Sequence, residues 1–324
     1  MDGIVALTGA TGFIGGVIAR RLTTQGWRVR ALIRPSSSRA CRPEAFEGYP
    51  VQWVEGTLED WACLERLVQD AEAVIHCAGA VRAFREDEFY RVNADAVARL
   101  AQIAARQEPP PRFLLLSSLA AREPAISPYA DSKRRGEIEL VNAAGRMRWT
   151  ALRPSVVYGP GDYALLPLFR LVWRGIAPIA GQNDARFSML YVDDLADAVA
   201  QWLVTGSMEK GIFEVDDGYP GGYSWSEVVE AVERLRGKRV FRFEIPEPAL
   251  VVAARLNTIA AFARGRPPMF SAWKLREIRY PNWVCDNSAF CKATKWVPTV
   301  RLAEGLQRTL CLKNVRTTAS SPSL

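Results

Sequence analysis

Short apolar runs alternate with amphipathic stretches of helical spacing through the first half of the chain. Residues 4–8 form an apolar run that ends in a glycine-rich turn, and 13–24 then repeat apolar positions through Ile14, Val17, Ile18 and Leu22, as a helix does. Further strands are predicted at 28–33, 51–54, 73–76, 113–116 and 150–153, and helices at 60–68, 84–105 and 129–143. The run Phe113 to Leu116 has no polar interruption, as expected of a strand buried on both faces. One βα unit repeated about six times predicts an α/β fold, a Rossmann-type doubly wound parallel sheet. Beyond Pro154 the pattern breaks into pieces punctuated by Pro and Gly, with helices predicted at 165–173, 195–204, 225–235 and 248–263. The expected organisation is a dinucleotide-binding domain over 1–158 plus about 187–216, and a smaller, irregular C-terminal substrate domain over about 159–186 and 217–312. The Ser/Thr/Pro-rich end, 313–324, is expected to be a flexible tail.

Composition narrows the function classes. The 324 residues are 49% hydrophobic and 24% charged, which fits a globular domain and excludes a disordered chain. The net charge is +7, but basic and acidic residues are interspersed, so no nucleic-acid-binding arm is present; the excess suits an anionic cofactor or substrate. Six cysteines without a C-x-x-C pair and a single histidine, His76, argue against a zinc site, and no metal is expected. The N-terminus runs straight into a strand with no signal-peptide pattern, so a cytoplasmic enzyme with reduced thiols is expected. The apolar stretch 248–263 is interrupted by Arg255 and Asn257 and is shorter than the roughly 20 residues a span requires. No transmembrane segment is expected; a buried or partner-facing helix is favoured over membrane contact.

Three clusters carry chemistry. Gly9, Gly12 and Gly15, in Thr8-Gly9-Ala10-Thr11-Gly12-Phe13-Ile14-Gly15, fall between a strand and a helix, where absent Cβ atoms let backbone approach a pyrophosphate at the helix N-terminus. At the end of the second strand an NAD site usually places an acidic residue for the ribose, whereas this chain offers Arg34, three serines and Arg39. A 2′-phosphate would find partners there, which favours NADP; if the arginines are solvated loop charges, NAD is the alternative. Tyr129 and Lys133 lie four apart on one helix face, so the ammonium can depress the phenol's pKa and fit it for proton transfer. Ser117 and Ser118 close the fifth strand, at the sheet end where open α/β folds bind ligands, and either hydroxyl can hydrogen-bond a reacting oxygen or merely cap a turn.

Taken together these residues resemble the extended short-chain dehydrogenase/reductase family, the NAD(P)-dependent epimerase/dehydratase group, from about Ile4 to Leu310. Val74-Ile75-His76-Cys77-Ala78-Gly79 looks like the family's cofactor turn after the fourth strand, which implies contacts from Cys77, Ala78 and Gly79 and makes His76 a packing residue. Leu152 to Pro160 is similar to the segment that passes the nicotinamide carboxamide, through Pro154 and Val157, and Tyr191 to Ala196 matches a later helix start. The resemblance implies Ser118, Tyr129 and Lys133 as the catalytic set, with Ser117 one register step away, and Asn93 as an active-site support. It also implies cofactor contacts from Thr11, Phe13, Ile14, Tyr129 and Lys133, a small-molecule substrate and a homodimer paired through 84–105 and 129–143, although those apolar positions serve equally as core. Gly56-Thr57-Leu58 departs from the common Gly-Asp-Leu, so Thr57 and Leu58 meet the adenine without a carboxylate. Arg186 falls one position before the arginine that grips a sugar-nucleotide diphosphate, while 246–256 and Trp283 to Asn287 resemble hydroxysteroid and flavonol-type reductases and imply an apolar pocket. The leading expectation is hydride transfer between nicotinamide and a secondary alcohol or ketone. The alternatives are a nucleotide-sugar epimerase or dehydratase with tightly held NAD, and a non-catalytic dinucleotide-binding subunit of an assembly.

Overall fold

The computed structural model describes residues 3–35, 50–181, 184–206 and 210–318, with side chains as far as Leu310. The first half runs β1 (Ile4–Thr8), α1 (Phe13–Thr24), β2 (Arg28–Ile33), β3 (Val51–Glu55), α2 (Trp61–Val68) and β4 (Ala71–His76). It continues with α3 (Glu86–Tyr90), a π-helical turn (Arg91–Asp95), α4 (Ala96–Ala105), β5 (Arg112–Leu116), α5 (Pro128–Ala144) and β6 (Trp149–Pro154). The second half holds β7 (Val156–Tyr158), α6 (Leu166–Trp173), β8 (Ile176–Ile179), β9 (Arg186–Phe187), β10 (Met189–Tyr191), α7 (Val192–Thr205), β11 (Gly211–Val215) and α8 (Trp225–Arg236). It ends with β12 (Phe241–Glu244), α9 (Glu247–Ala263), α10 (Ala272–Arg279), β13 (Asn282–Trp283), α11 (Ser288–Thr294) and α12 (Leu302–Thr318).

Seven parallel strands form the main sheet in the order β3-β2-β1-β4-β5-β6-β11. The period-two side-chain alternation of a strand is visible in what each face buries. Val5, Leu7, Ile75, Leu114 and Leu116 pack under α1 and α7, whereas Ala6, Val74, Phe113 and Leu115 pack under α2, α4 and α5. Both faces are therefore covered, and the central strands β1 and β5 are apolar apart from Thr8 and Arg112 at their ends. The strand order reverses between β1 and β4, which opens a crevice at their carboxyl ends. A third apolar cluster, around Tyr158, Phe169, Val228 and Leu306, lies in the second half beside three two-stranded parallel pairs, β7 with β10, β8 with β12 and β9 with β13.

The predicted helix over 84–105 is broken by the π turn at Arg91–Asp95. α5 closes on that turn so tightly that a Cβ at Gly136 would sit 2.1 Å from the Asn93 carbonyl oxygen. The sequence pattern did not single out β11, nor α10, α11 and α12. β11 is a five-residue edge strand with half-exposed positions, and α10 and α11 are eight and seven residues long, too short to display a helical repeat. α12 reaches Thr318, inside the stretch expected to be tail, and residues 319–324 lie outside the described set.

Candidate active site

The glycine turn forms a cradle that side chains would fill. Gly9 has φ +79°, and a Cβ there would lie 2.7 Å from the Ala78 nitrogen, so β1 and the loop after β4 approach to backbone contact. A Cβ on Gly15 would meet the Gly9 carbonyl oxygen at 2.1 Å. Gly12 caps α1 with no side-chain hydrogen bond, and the helix's first turn has no acidic residue. The leading N–H groups of α1 are thus left for an anion, as a dinucleotide pyrophosphate requires. Thr11 is exposed at the turn, while Phe13 and Ile14 pack half-buried against the core.

Around this cradle the Ala78 N–H donates to Thr8 Oγ1 at 3.2 Å, and the Thr8 hydroxyl lies 2.9 Å from His76 Nδ1. Burial, then the nearby Lys133 cation, push His76 down to about 3, so the ring is neutral and holds β1 to β4. Burial pushes the Cys77 thiol up to about 12, which leaves it an unreactive thiol wall. Arg34 is exposed at the end of β2 and forms no ion pair among the described residues; Arg39 lies outside them. Thr57 Oγ1 accepts from the Glu59 N–H at 3.3 Å, and the Leu58 carbonyl from Arg99, so both are held in a turn beside β3. Pro154 ends β6, and Val157 of β7 packs half-buried on the sheet core.

Ser127 caps α5 by accepting from the Ala130 N–H at 3.1 Å, and Pro128 occupies the first turn, so Tyr129 and Lys133 both fall within the helix. Ser118 lies beside the Tyr129 phenol and opposes the rise that burial imposes on it, while its hydroxyl oxygen accepts from the Ala120 N–H at 3.2 Å. Ser117 instead donates inward to Glu137 at 2.6 Å, which leaves Ser118 as the serine beside the phenol. Lys133 Nζ donates to the Leu116 carbonyl at 2.7 Å and lies against the backbone of Gly79. Burial depresses Lys133 to about 8, partly opposed by Cys77 and Glu137. Asn93 is spent on positioning. Its amide donates to the Ala80 carbonyl and to Ser132, both at 2.9 Å, and accepts from the Ala80 N–H at 2.8 Å, so the π turn fixes the loop after β4 against α5.

One expectation is corrected. Burial raises Tyr129 above the ordinary phenol range, and the groups that oppose the rise are Ser118 and Lys274, not Lys133. Sequence spacing put Lys133 on the right face but said nothing of its length being used to reach Leu116. Lys274 comes from α10, which the sequence pattern did not resolve; its Nζ donates to Glu277 at 2.9 Å, and Glu277 accepts from Ser127 at 2.5 Å. Also missed was Glu137, buried at 1% exposure, which binds Arg153 through two hydrogen bonds of 2.8 and 2.6 Å. Its signal was the four-residue step from Lys133 along the same helix face. Tyr129, Lys274 and Glu277 border a cavity of about 20 Å³ whose remaining wall is largely apolar, from Val81, Ala83, Phe89, Pro268, Met269 and Trp273. That is room for about one water.

The family model described as NAD dependent epimerase/dehydratase family matches residues 5–215. The chain belongs to this epimerase/dehydratase family. It is accordingly an enzyme of the NAD(P)-dependent reductase and epimerase group, with the doubly wound sheet that its sequence pattern implied. A ceramide reductase from Caulobacter vibrioides is 36% identical over 87% of this chain and 86% of its own length. A 2-alkyl-3-oxoalkanoate reductase from Stenotrophomonas maltophilia is 24% identical over 94% of this chain and 97% of its own. Among solved structures, a variant of UDP-glucuronic acid 4-epimerase from Bacillus cereus, bound to NAD and a fluorinated UDP-sugar acid, aligns with TM-score 0.74 at 18% identity, over 98% of this chain and all of that one. At that identity the likeness shows the shared fold. Among the described residues, no helix is long and apolar enough to cross a membrane, and no cluster of His, Cys, Asp and Glu is placed to hold a metal.

Proposed function

We propose that this family member is an NADP-linked reductase of a ketone set between alkyl chains, such as the oxo form of a ceramide-like lipid. The observation that carries the reading is Tyr129, with Ser118 beside its phenol, on a cavity whose wall is built in good part from Val81, Ala83, Phe89, Pro268, Met269 and Trp273. Two relatives aligned over most of their lengths are named for ceramide and for a 2-alkyl-3-oxoalkanoate, both of them compounds with alkyl groups. Against a sugar nucleotide stands Arg186, whose guanidinium donates to the Gly221 and Gly222 carbonyls and pairs with Glu227 at 3.0 Å, leaving no free fork for a diphosphate.

In this reading Gly9, Gly12, Gly15 and the N-terminus of α1 hold the pyrophosphate, and Ala78, Gly79, Pro154 and Val157 flank the nicotinamide. When bound, the reduced cofactor supplies a hydride to the carbonyl carbon. Ser118 donates a hydrogen bond to the carbonyl oxygen, and Tyr129 transfers its phenolic proton to that oxygen, giving the secondary alcohol. Lys274 supplies positive charge beside the resulting phenolate, and Lys133 is left to hold the nicotinamide ribose.

Arg34 is assigned to the 2′-phosphate. Arg34→Ala is expected to weaken NADPH about 10- to 100-fold, the worth of a charge-assisted contact, and to leave NADH unchanged. Fluorescence titration with both cofactors checks this; equal weakening of both would remove the assignment.

The pH profile follows from Lys133, whose ammonium is the active form. The lysine is depressed from 10.5 to about 8, so kcat/KM for the cofactor should fall as pH rises through about 8. Stability moves the opposite way. Between about 8 and 10.5 the unfolded chain binds more protons than the folded one, so burial costs less as pH rises. Lys133→Arg should abolish the limb near 8; a limb unchanged in that variant would exclude Lys133 as its source.

A further inference from the structure

α9 is apolar yet mostly uncovered. Of its 17 residues only Leu250, Ala254 and Ala261 are buried. Val252, Leu256, Ile259 and Phe262, spaced four, three and three apart, form one face and are 55 to 66% exposed. The sequence favoured a buried or partner-facing helix here over membrane contact; the fold leaves these side chains exposed, which excludes the buried case. A contiguous exposed stripe of this kind marks an interaction surface.

Its neighbours connect it to the reacting group. Phe262 stacks on Phe84 at 4.6 Å, next to Val81 and Ala83 of the cavity wall. The Asn257 amide donates to the Phe270 carbonyl at 2.7 Å, tying α9 to the 268–274 segment that covers Tyr129. Val81 and Met269, on opposite rims of that cavity, are themselves exposed. The stripe is thus joined to the cavity wall on both sides, through Phe84 beside Ala83 and through Phe270 beside Met269.

Charge identifies what it faces. Residues 248–276 contain five basic side chains, Arg255, Arg264, Arg266, Lys274 and Arg276, and no acidic one. Arg255, Arg264 and Arg266 are exposed and have no ion pair among the described residues, and the exposed Arg82 on the loop opposite likewise has none. An apolar helix face with Arg255 set within it and Arg264 and Arg266 just beyond its end matches an anionic lipid surface, with the apolar side chains in the acyl boundary and the long arginines reaching up to the phosphates.

We propose that α9 docks this enzyme on the surface of an anionic bilayer, lying in the interface, so that a lipid substrate passes from the membrane into the Tyr129 cavity between Val81 and Met269. The delivery step rests on the reductase reading above; the docking itself does not. Co-sedimentation with phosphatidylglycerol/phosphatidylethanolamine vesicles and with neutral phosphatidylcholine vesicles tests docking, and NADPH fluorescence titration tests the cofactor site independently. The full chain should sediment with the anionic vesicles. Leu256→Ser and Ile259→Ser should each weaken binding on the order of tenfold, the worth of one large side chain, with NADPH affinity unchanged. Arg255, Arg264 and Arg266 changed together to Ala should weaken it by about fivefold per arginine on anionic vesicles only. Wild-type protein that stays in the supernatant with both vesicle types overturns the proposal. So does a stable dimer in size-exclusion chromatography that Leu256→Ser dissociates, because α9 would then be covered by a second copy. Failure of NADPH binding with vesicle binding intact would count against the reductase reading alone.

Discussion

Tyr129→Phe is expected to lower kcat for ketone reduction by about 10²–10⁴-fold while NADPH affinity changes little. The phenol is the hydroxyl beside Ser118 at the cavity, and phenylalanine keeps the ring packed edge-on to Phe89 at 6.0 Å between centroids. Only the transferable proton is removed. Steady-state NADPH oxidation, with fluorescence titration of the same preparation, separates the two effects. A variant that retains near wild-type kcat would show that the proton comes from elsewhere, and Ser118 would be the next group to test. A variant that loses cofactor affinity instead would show that the phenol's contribution is binding.

The second large effect is on stability. Glu137 receives hydrogen bonds from Ser117, from Arg134 and twice from Arg153 in a nearly water-free position. Glu137→Leu would strand the Arg153 guanidinium between α5 and β6. Removing one partner of a buried ion pair costs about 3–5 kcal/mol, here a fall in Tm on the order of 10 °C. Adding Arg153→Met should recover most of the loss, since replacing both partners with apolar groups of similar volume is close to neutral. Thermal unfolding of the wild type and both variants measures this. A single variant within about 0.5 kcal/mol of wild type, the range of ordinary surface changes, would show that water reaches Arg153 and that the pair does not hold the floor of the site.

Much of the cofactor half was legible because its signals are local. Ile4 to Thr8, the glycine turn and Phe13 to Thr24 each announce themselves within a dozen residues, by apolar run, by absent Cβ atoms and by helical spacing. Tyr129 and Lys133 stood out as candidates for the same reason, being four apart on one helix. What escaped was set by partners distant in sequence. Lys274 reaches the phenol across some 145 positions, and no property of a short helix containing Trp273 and Lys274 indicates that it will fold over α5. Arg153 reads as an ordinary strand-end cation until Glu137 is seen beside it. The direction of the Tyr129 shift depended on burial under that cover, which spacing alone does not encode.

Ser117 and Ser118 illustrate the same limit at one-residue scale. Adjacent strand-end residues point to opposite sides, so one serine had to face the core and the other the crevice; spacing alone left the choice open, and only the family resemblance favoured Ser118. The Ser117–Glu137 hydrogen bond of 2.6 Å turns Ser117 inward, in keeping with that preference.

The most direct measurement of the central proposal is product analysis with NADPH and the oxo form of a ceramide dispersed in phosphatidylglycerol-containing vesicles. The account predicts one secondary alcohol formed for each NADPH oxidised, a product two mass units heavier than the substrate, and no turnover above background in Tyr129→Phe. Protein that purifies with tightly held NAD, leaves the lipid ketone untouched and interconverts a UDP-sugar without net oxidation of NADPH would contradict it.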